Sequence, residues 1–339
     1  HHTAITHGEA SLTVLANNGN GRFGSNATLT VGSYPVFVVA ADVNGDAKLD
    51  LICANNGTNT LTVLTNNGSG RFSFQATLTV GDRPYGVVVA DINGDGKPDL
   101  ISANFNDNSL TVLTNNGAGG FGSNATLAVG SGPYAVVATD INGDGKPDLI
   151  SANYNAGTLT VLTNNGSGGF GSNTTLTVDG FPDALVVADI NGDGKNDLIS
   201  ANLSVYPNPG TLTVWTNNGA GGFGSNTVAT VGLQPFSLAA ADLNGDGRVD
   251  LISTNHGDNT LTVLMQTGGP LPVLSIAWAS SNTVKISWPL PATGFVLQTN
   301  ASLSGANWGN ASYFITTNGA TGGINVTSPA NRLFFRLKK

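Results

Sequence analysis

The nine residues Asp91-Ile-Asn-Gly-Asp-Gly-Lys-Pro-Asp99 place side-chain oxygens at positions 1, 3, 5 and 9 and glycine at positions 4 and 6. A hard cation such as Ca²⁺ takes roughly six to eight oxygen ligands at short range, and oxygens on alternate residues of one loop can supply them. The glycines allow the tight backbone path. The pattern recurs four more times. Its candidate ligands are Asp42, Asn44, Asp46 and Asp50; Asp91, Asn93, Asp95 and Asp99; Asp140, Asn142, Asp144 and Asp148; Asp189, Asn191, Asp193 and Asp197; and Asp242, Asn244, Asp246 and Asp250. The backbone carbonyls of Lys48, Lys97, Lys146, Lys195 and Arg248 are expected to add one ligand per loop, with the cationic side chains pointing away. A single copy reads equally well as a solvated turn. Five copies in register favour calcium, about five ions in all.

An EF-hand is the rival calcium motif, and it fails. Position 12, where that motif carries a bidentate Glu, is Cys53, Ser102, Ser151, Ser200 or Ser253. Modest affinity and a structural role follow, not sensing.

Repeats position these loops. Leu-Thr-Val begins at Leu12, Leu61, Leu110, Leu159, Leu212 and Leu261, a period of 49 residues with one interval of 53. An insertion around Val205-Tyr-Pro-Asn-Pro209 accounts for the long interval. Each period holds four strand candidates. In one unit these are Tyr85 to Ala90, Asp99 to Asn104, Ser109 to Thr114 and Phe121 to Val129, with Asn115-Asn-Gly117 read as a type I′ hairpin turn. Helical periodicity is absent. Units of four short strands at this period fit the blades of an all-β propeller. Aligning the repeats gives three strands, four complete blades and three more strands. Six blades are therefore expected, with the strand at Leu261 to Met265 left unpaired at its outer edge.

Phe-Gly at 23–24, 121–122, 170–171 and 223–224, together with the aspartate loops, resembles the FG-GAP/VCBS repeat family over about residues 1–267. Those are the calcium-binding blades of integrin α-subunit heads, bacterial surface proteins and lectins. The resemblance implies a β-propeller with calcium at the five aligned loops. Two positions depart from it: Ala47 replaces the second glycine of the first loop, and Ser73 follows Phe72. The first is expected to strain its loop.

Gly268-Gly-Pro-Leu-Pro272 reads as a linker to a second module, residues 273–339. Its runs around Trp288, Phe295 and Phe334 alternate with turn residues and loosely resemble a small fibronectin-III or immunoglobulin-like β-sandwich. Trp278 and Trp288 are expected in its core. It has no acidic residue and carries Lys285, Arg332, Arg336, Lys338 and Lys339, whereas residues 1–272 carry 21 acidic and 8 basic residues. Opposite charge on linked modules favours docking within or between chains, although the tail charges equally serve solubility.

Of the 21 acidic residues, 15 are loop aspartates, so the net charge of -8 is mainly site charge. No basic stripe suits nucleic acid, no apolar run suits a membrane span, and no signal peptide is read at the start. Cys53 is a small buried residue by expectation and has no disulfide partner. His1, His2, His7 and His256 form no ligand spacing or triad, and no phosphate-cradling motif occurs. Asn26, Asn124, Asn173, Asn202, Asn300, Asn310 and Asn325 begin Asn-x-Ser/Thr patterns, many of them expected by chance in so Asn/Thr-rich a chain. The aromatics near each first strand, Tyr34, Tyr85, Tyr134, Phe181 and Phe236, are expected to pack the core in preference to lining sugar pockets. These features point to a non-enzymatic, extracellular, calcium-stabilised propeller for adhesion, surface structure or protein interaction, self-assembling through open sheet edges. A calcium-dependent lectin is the alternative, and a secreted hydrolase is a weaker third.

Overall fold

A computed structural model of the chain describes residues 2–5, 10–17, 19–266, 275–280, 283–289, 296–300, 309–310, 316–318, 321–327 and 334–338. The linker at 268–272, Trp308, His1, His7 and the side chains of His2, Trp278, Asn26, Asn124, Asn173 and Asn300 lie outside the described parts. Every regular element among the described residues is a β-strand.

The repeats form six antiparallel sheets in chain order. The first has three strands, β1 (His2–Ile5), β2 (Ser11–Asn17) and β3 (Phe23–Thr30). Four sheets of four strands follow. They are β4 (Pro35–Ala41), β5 (Asp50–Asn55), β6 (Thr60–Asn66) and β7 (Phe72–Thr79); then β8 (Pro84–Ala90), β9 (Asp99–Asn104), β10 (Ser109–Asn115) and β11 (Phe121–Ala128). The next two are β12 (Pro133–Thr139), β13 (Asp148–Asn153), β14 (Thr158–Asn164) and β15 (Phe170–Thr177), and β16 (Phe181–Ala188), β17 (Asp197–Leu203), β18 (Thr211–Asn217) and β19 (Phe223–Thr230). A three-stranded sheet of β20 (Pro235–Ala241), β21 (Asp250–Asn255) and β22 (Thr260–Leu264) ends the series. The strand count and the two incomplete sheets agree with the repeat alignment. The 53-residue interval falls in the connection between β17 and β18, where Val205 and Tyr206 are exposed.

Each sheet is sided on both faces, and its sequence is apolar accordingly. The second strand is buried along its whole length in three complete blades and along all but Leu203 in the fourth. Pleating sends alternate residues to opposite faces. Thus Leu51 and Cys53 join Leu12 and Val14 of the preceding blade, while Ile52 and Ala54 join Val87 and Leu100 of the next. Ile101 and Ala103 continue the series towards Val136 and Leu149, and Ile150 and Ala152 towards Leu185 and Leu198. The core therefore lies between blades. Each fully buried Leu or Ile contributes about 1.5–3 kcal/mol.

Polar seams run through the same sheets. Asn104 donates to Ser109 and Thr111 and accepts from the Ser102 hydroxyl, and Asn153 and Asn255 repeat the arrangement. In the first complete blade Cys53 stands in place of the serine, and the buried Asn55 Oδ1 has no hydrogen-bond partner.

Two strand details differ from expectation. The β10–β11 connection is not a two-residue type I′ turn: Asn115 pairs with Phe121, leaving a five-residue loop. Asn115 Oδ1 accepts from Gly117 N, Asn116 N donates to Gly120 O, and Gly117 and Gly119 take φ of 82° and 74°. An Asx turn, not the Asn-Gly pair alone, shapes the loop. The inner strand read from Tyr85 also begins one residue earlier, at Pro84, which is tolerated because a first residue need not donate to the ladder.

Cα proximity divides the chain into two compact units, residues 1–188, 195–240 and 251–264, and residues 189–194, 241–250 and 265–339. The second holds two of the aspartate turns and the C-terminal strands. There β23 (Ser275–Ser280), β24 (Thr283–Pro289), β28 (Thr321–Thr327) and β27 (Thr316–Asn318) form one sheet. A second contains β26 (Gly309–Asn310), β25 (Val296–Asn300) and β29 (Phe334–Lys338). Ile286, Trp288, Ile324 and Val326 of the first meet Leu297 and Phe335 of the second, so Trp288 is a core residue. This is a small two-sheet sandwich.

Candidate functional site

The five aspartate loops join the first and second strands of their blades and share one hydrogen-bond plan. Asp91 Oδ1 accepts from Gly94 N and Asp95 N, and its Oδ2 from Gly96 N. Asn93 Oδ1 accepts from Asp95 N, and Asp95 Oδ1 from Lys97 N. The loops beginning at Asp42, Asp140, Asp189 and Asp242 repeat the key bonds. Position 6 has positive φ throughout, including Ala47 at 61°, a left-handed value that costs a residue with a Cβ about 1–2 kcal/mol. The expected strain is present.

The position-7 side chains do not point away. Lys97 Nζ lies 3.2 Å from Asp95 Oδ2, and Lys48, Lys146 and Arg248 fold back in the same way onto Asp46, Asp144 and Asp246. The hydrogen bond from Lys48 is the main cause that holds the Asp46 carboxyl below its ordinary range.

Position 9 is different. Asp50, Asp99, Asp148, Asp197 and Asp250 are fully buried. Asp99 Oδ2 accepts from Ile92 N and its Oδ1 from Asn115 N, at 3.0 and 2.8 Å. Burial raises the carboxyl pKa of Asp50, Asp99 and Asp148, and those amides oppose the rise. Each position-9 carboxylate thus ties the loop to the end of the third strand of its own blade or to the residues just past it.

The donor set is all hard oxygen, the chemistry Ca²⁺ requires. The carboxylate and amide oxygens at positions 1, 3 and 5 are turned onto the loop's own amides; Asp91 Oδ1 accepts two of them, whereas Asp91 Oδ2 and Asn93 Oδ1 each accept one and keep a further lone pair. Among the described residues no three His, Cys, Asp or Glu side chains converge as they do around a metal ion.

A second feature lies at the other end of the inner strands. The residue after the first proline is Val36, Tyr85, Tyr134, Asp183 and Phe236 in β4, β8, β12, β16 and β20. In the first four of these strands the ladder slips at this point. A bulge re-aims a side chain. All five side chains line one cavity of about 530 Å³, with Val87, Val136, Leu185 and Leu238 deeper along the same strands. Tyr85 stacks on Tyr134 at 4.4 Å, Phe105 meets the edge of Tyr85, and Tyr154 stacks on Phe181 at 5.4 Å. Tyr85, Tyr134 and Phe236 therefore line a space instead of filling the core. Tyr34 is exposed.

Asp183 is the lone ionisable acid of this lining. It is 6% exposed, and its Oδ2 has no hydrogen-bond partner. Burial raises its pKa to about 7. Sequence reading missed it because the column was aligned on aromatic character; aligning on the proline exposes the acid.

Six consecutive sheets of this repeat define a β-propeller. The FG-GAP-like repeat model matches residues 4–53, 42–102, 91–151, 140–200 and 189–253, and the chain belongs to that family. No curated protein matches the sequence. Among solved structures, a lectin from Agrocybe aegerita that recognises non-reducing terminal N-acetylglucosamine aligns over 98% of this chain and 80% of its own, at 18% identity and TM-score 0.50. A candidate 6-phosphogluconolactonase from Bacteroides uniformis aligns over 97% and 83%, at 12% identity and TM-score 0.57. A protein of unknown function from Desulfotomaculum acetoxidans aligns over 78% and 79%, at 13% identity and TM-score 0.60. At these identities the likeness concerns the fold.

Proposed function

We propose that this chain is a non-enzymatic, calcium-stabilised propeller that acts outside the cell as an adhesive or structural scaffold, associating with further copies of itself. The observation that carries the reading is the last sheet. Its third strand, β22, has no fourth strand beside it among the described residues. Leu261 and Val263 there are 66% and 48% exposed, although the equivalent Leu61, Leu110, Leu159 and Leu212 are fully buried. An open edge beside exposed apolar side chains is a template for strand addition by another chain. The near-identical loops suit a scaffold, since calcium at the oxygens of positions 1, 3, 5 and 9 would fasten each blade without serving chemistry. Sedimentation of the full chain with calcium tests the association: oligomers that Leu261→Lys and Val263→Lys disperse are expected, and a monomer at every concentration would sink it.

A lectin is the second reading. It is favoured by the aromatic-lined cavity and by the fold shared with the Agrocybe protein. A glycan array with calcium present decides it, and silence across the array would remove it.

A further inference from the structure

We propose that Asp183, with the rings of Tyr85, Tyr134 and Phe236 that share its cavity, binds a small organic ammonium ion. The proposal goes beyond the scaffold reading and does not depend on it. Four of the five inner strands place an apolar or aromatic residue at this register, as a packed position requires. Only β16 places an acid there, and does so at a bulge that turns the side chain into the cavity. A buried carboxylate without a partner is costly, and even the neutral acid leaves a polar group unsatisfied. None of the residues lining the cavity is a cation. A cationic ligand supplies what the site lacks, because aromatic faces attract cations through their quadrupole. Tyr85 and Tyr134 form a stacked pair at the same level of the strands as Asp183. The cavity's lining is mostly hydrocarbon, which suits an alkylated ammonium over a strongly hydrated metal ion.

The ionisable groups around Asp183 are few. Tyr134 on β12 and Tyr154 after β13 interact with its charge, and Tyr85 on β8 interacts with Tyr134; burial is the chief cause that raises both Tyr134 and Tyr154. His256 lies against Phe236, ring centroids 6.3 Å apart. Burial keeps the Tyr134 and Tyr154 hydroxyls neutral, whereas Asp183 changes charge near pH 7. Protonation of Asp183 weakens cation binding as pH falls.

Calorimetric titration of the full chain with choline, 3,3-dimethylbutanol and N-acetylglucosamine tests the site. Choline is expected to bind at pH 8, and its neutral isostere at least tenfold more weakly. Affinity for choline should fall about tenfold between pH 8 and pH 6, following the fraction of Asp183 ionised. Asp183→Asn should lower choline affinity at least tenfold and flatten that profile. Tyr134→Leu should weaken choline several-fold and leave the pH profile in place. No heat with millimolar choline, equal binding of choline and the neutral isostere, or unchanged affinity in a folded Asp183→Asn chain would each overturn the proposal. Binding of N-acetylglucosamine in place of choline would overturn it in favour of a sugar site.

Discussion

Asn115 donates from Nδ2 to the carbonyl oxygen of Val43, 72 residues earlier, at 2.9 Å. Val43 occupies position 2 of the preceding blade's aspartate loop, and the same Asn115 gives its backbone N–H to Asp99 of its own loop. One amide therefore links two candidate metal loops. Asn164 to Ile92 and Asn217 to Ile141 repeat the bond, and Gln266 to Ile190 reproduces it with a longer side chain.

Asn115→Ala should therefore destabilise more than its equivalent Asn66→Ala. Asn115 loses donors to Val43 and to Pro98, whereas Asn66 Nδ2 donates only to Leu49 within its own blade and is less buried. Each buried hydrogen bond contributes about 1 kcal/mol, and orphaned carbonyls add to the loss. Urea unfolding should show about 2–3 kcal/mol for Asn115 and about half that for Asn66.

Cys53→Ser should stabilise. A hydroxyl at this position would donate to the orphaned Asn55 Oδ1, as Ser102 and Ser151 do to Asn104 and Asn153. A gain of about 1 kcal/mol is expected in thermal or urea unfolding. The native thiol, pushed up to about 12 by burial, should ignore thiol reagents until the chain unfolds.

Ala47→Gly should relieve its left-handed backbone and stabilise by about 0.5–1 kcal/mol after the added unfolded-state freedom is counted. Gly96→Ala is the reciprocal case. A Cβ there meets nothing within 4 Å, so its cost, about 1 kcal/mol, is conformational alone.

Asp183→Asn should change how stability depends on pH. The folded chain holds this proton up to about pH 7, whereas an unfolded carboxyl releases it near roughly 4. Between those values the folded state binds more protons, so the contribution of Asp183 falls as pH rises and stays low above 7. Without a bound cation the variant should match the parent below pH 4 and exceed it at pH 8, by up to roughly 4 kcal/mol. Melting curves at the two pH values check the sign.

Much of this was legible because the period is strict. Leu-Thr-Val strands and aspartate loops 49 residues apart placed every blade strand to within about a residue. What escaped depends on tertiary geometry. Asn115 reads as half of an Asn-Gly turn, and only the neighbouring blade reveals it as a staple. Lys97 reads as a solvated cation, yet its stem packs over Gly117 and its charge returns to Asp95. Asp183 was hidden among aromatics because the bulge that aims it has no composition signature.

Calorimetry on the full chain, stripped with chelator and then titrated with Ca²⁺, decides whether the aspartate loops hold calcium. Binding to the native state raises stability with ligand concentration, about 2.7 kcal/mol per site at a hundredfold excess over Kd. About five ions bound and a melting temperature that rises with calcium are expected. No binding heat and one melting temperature with chelator and with calcium would contradict calcium binding at the loops.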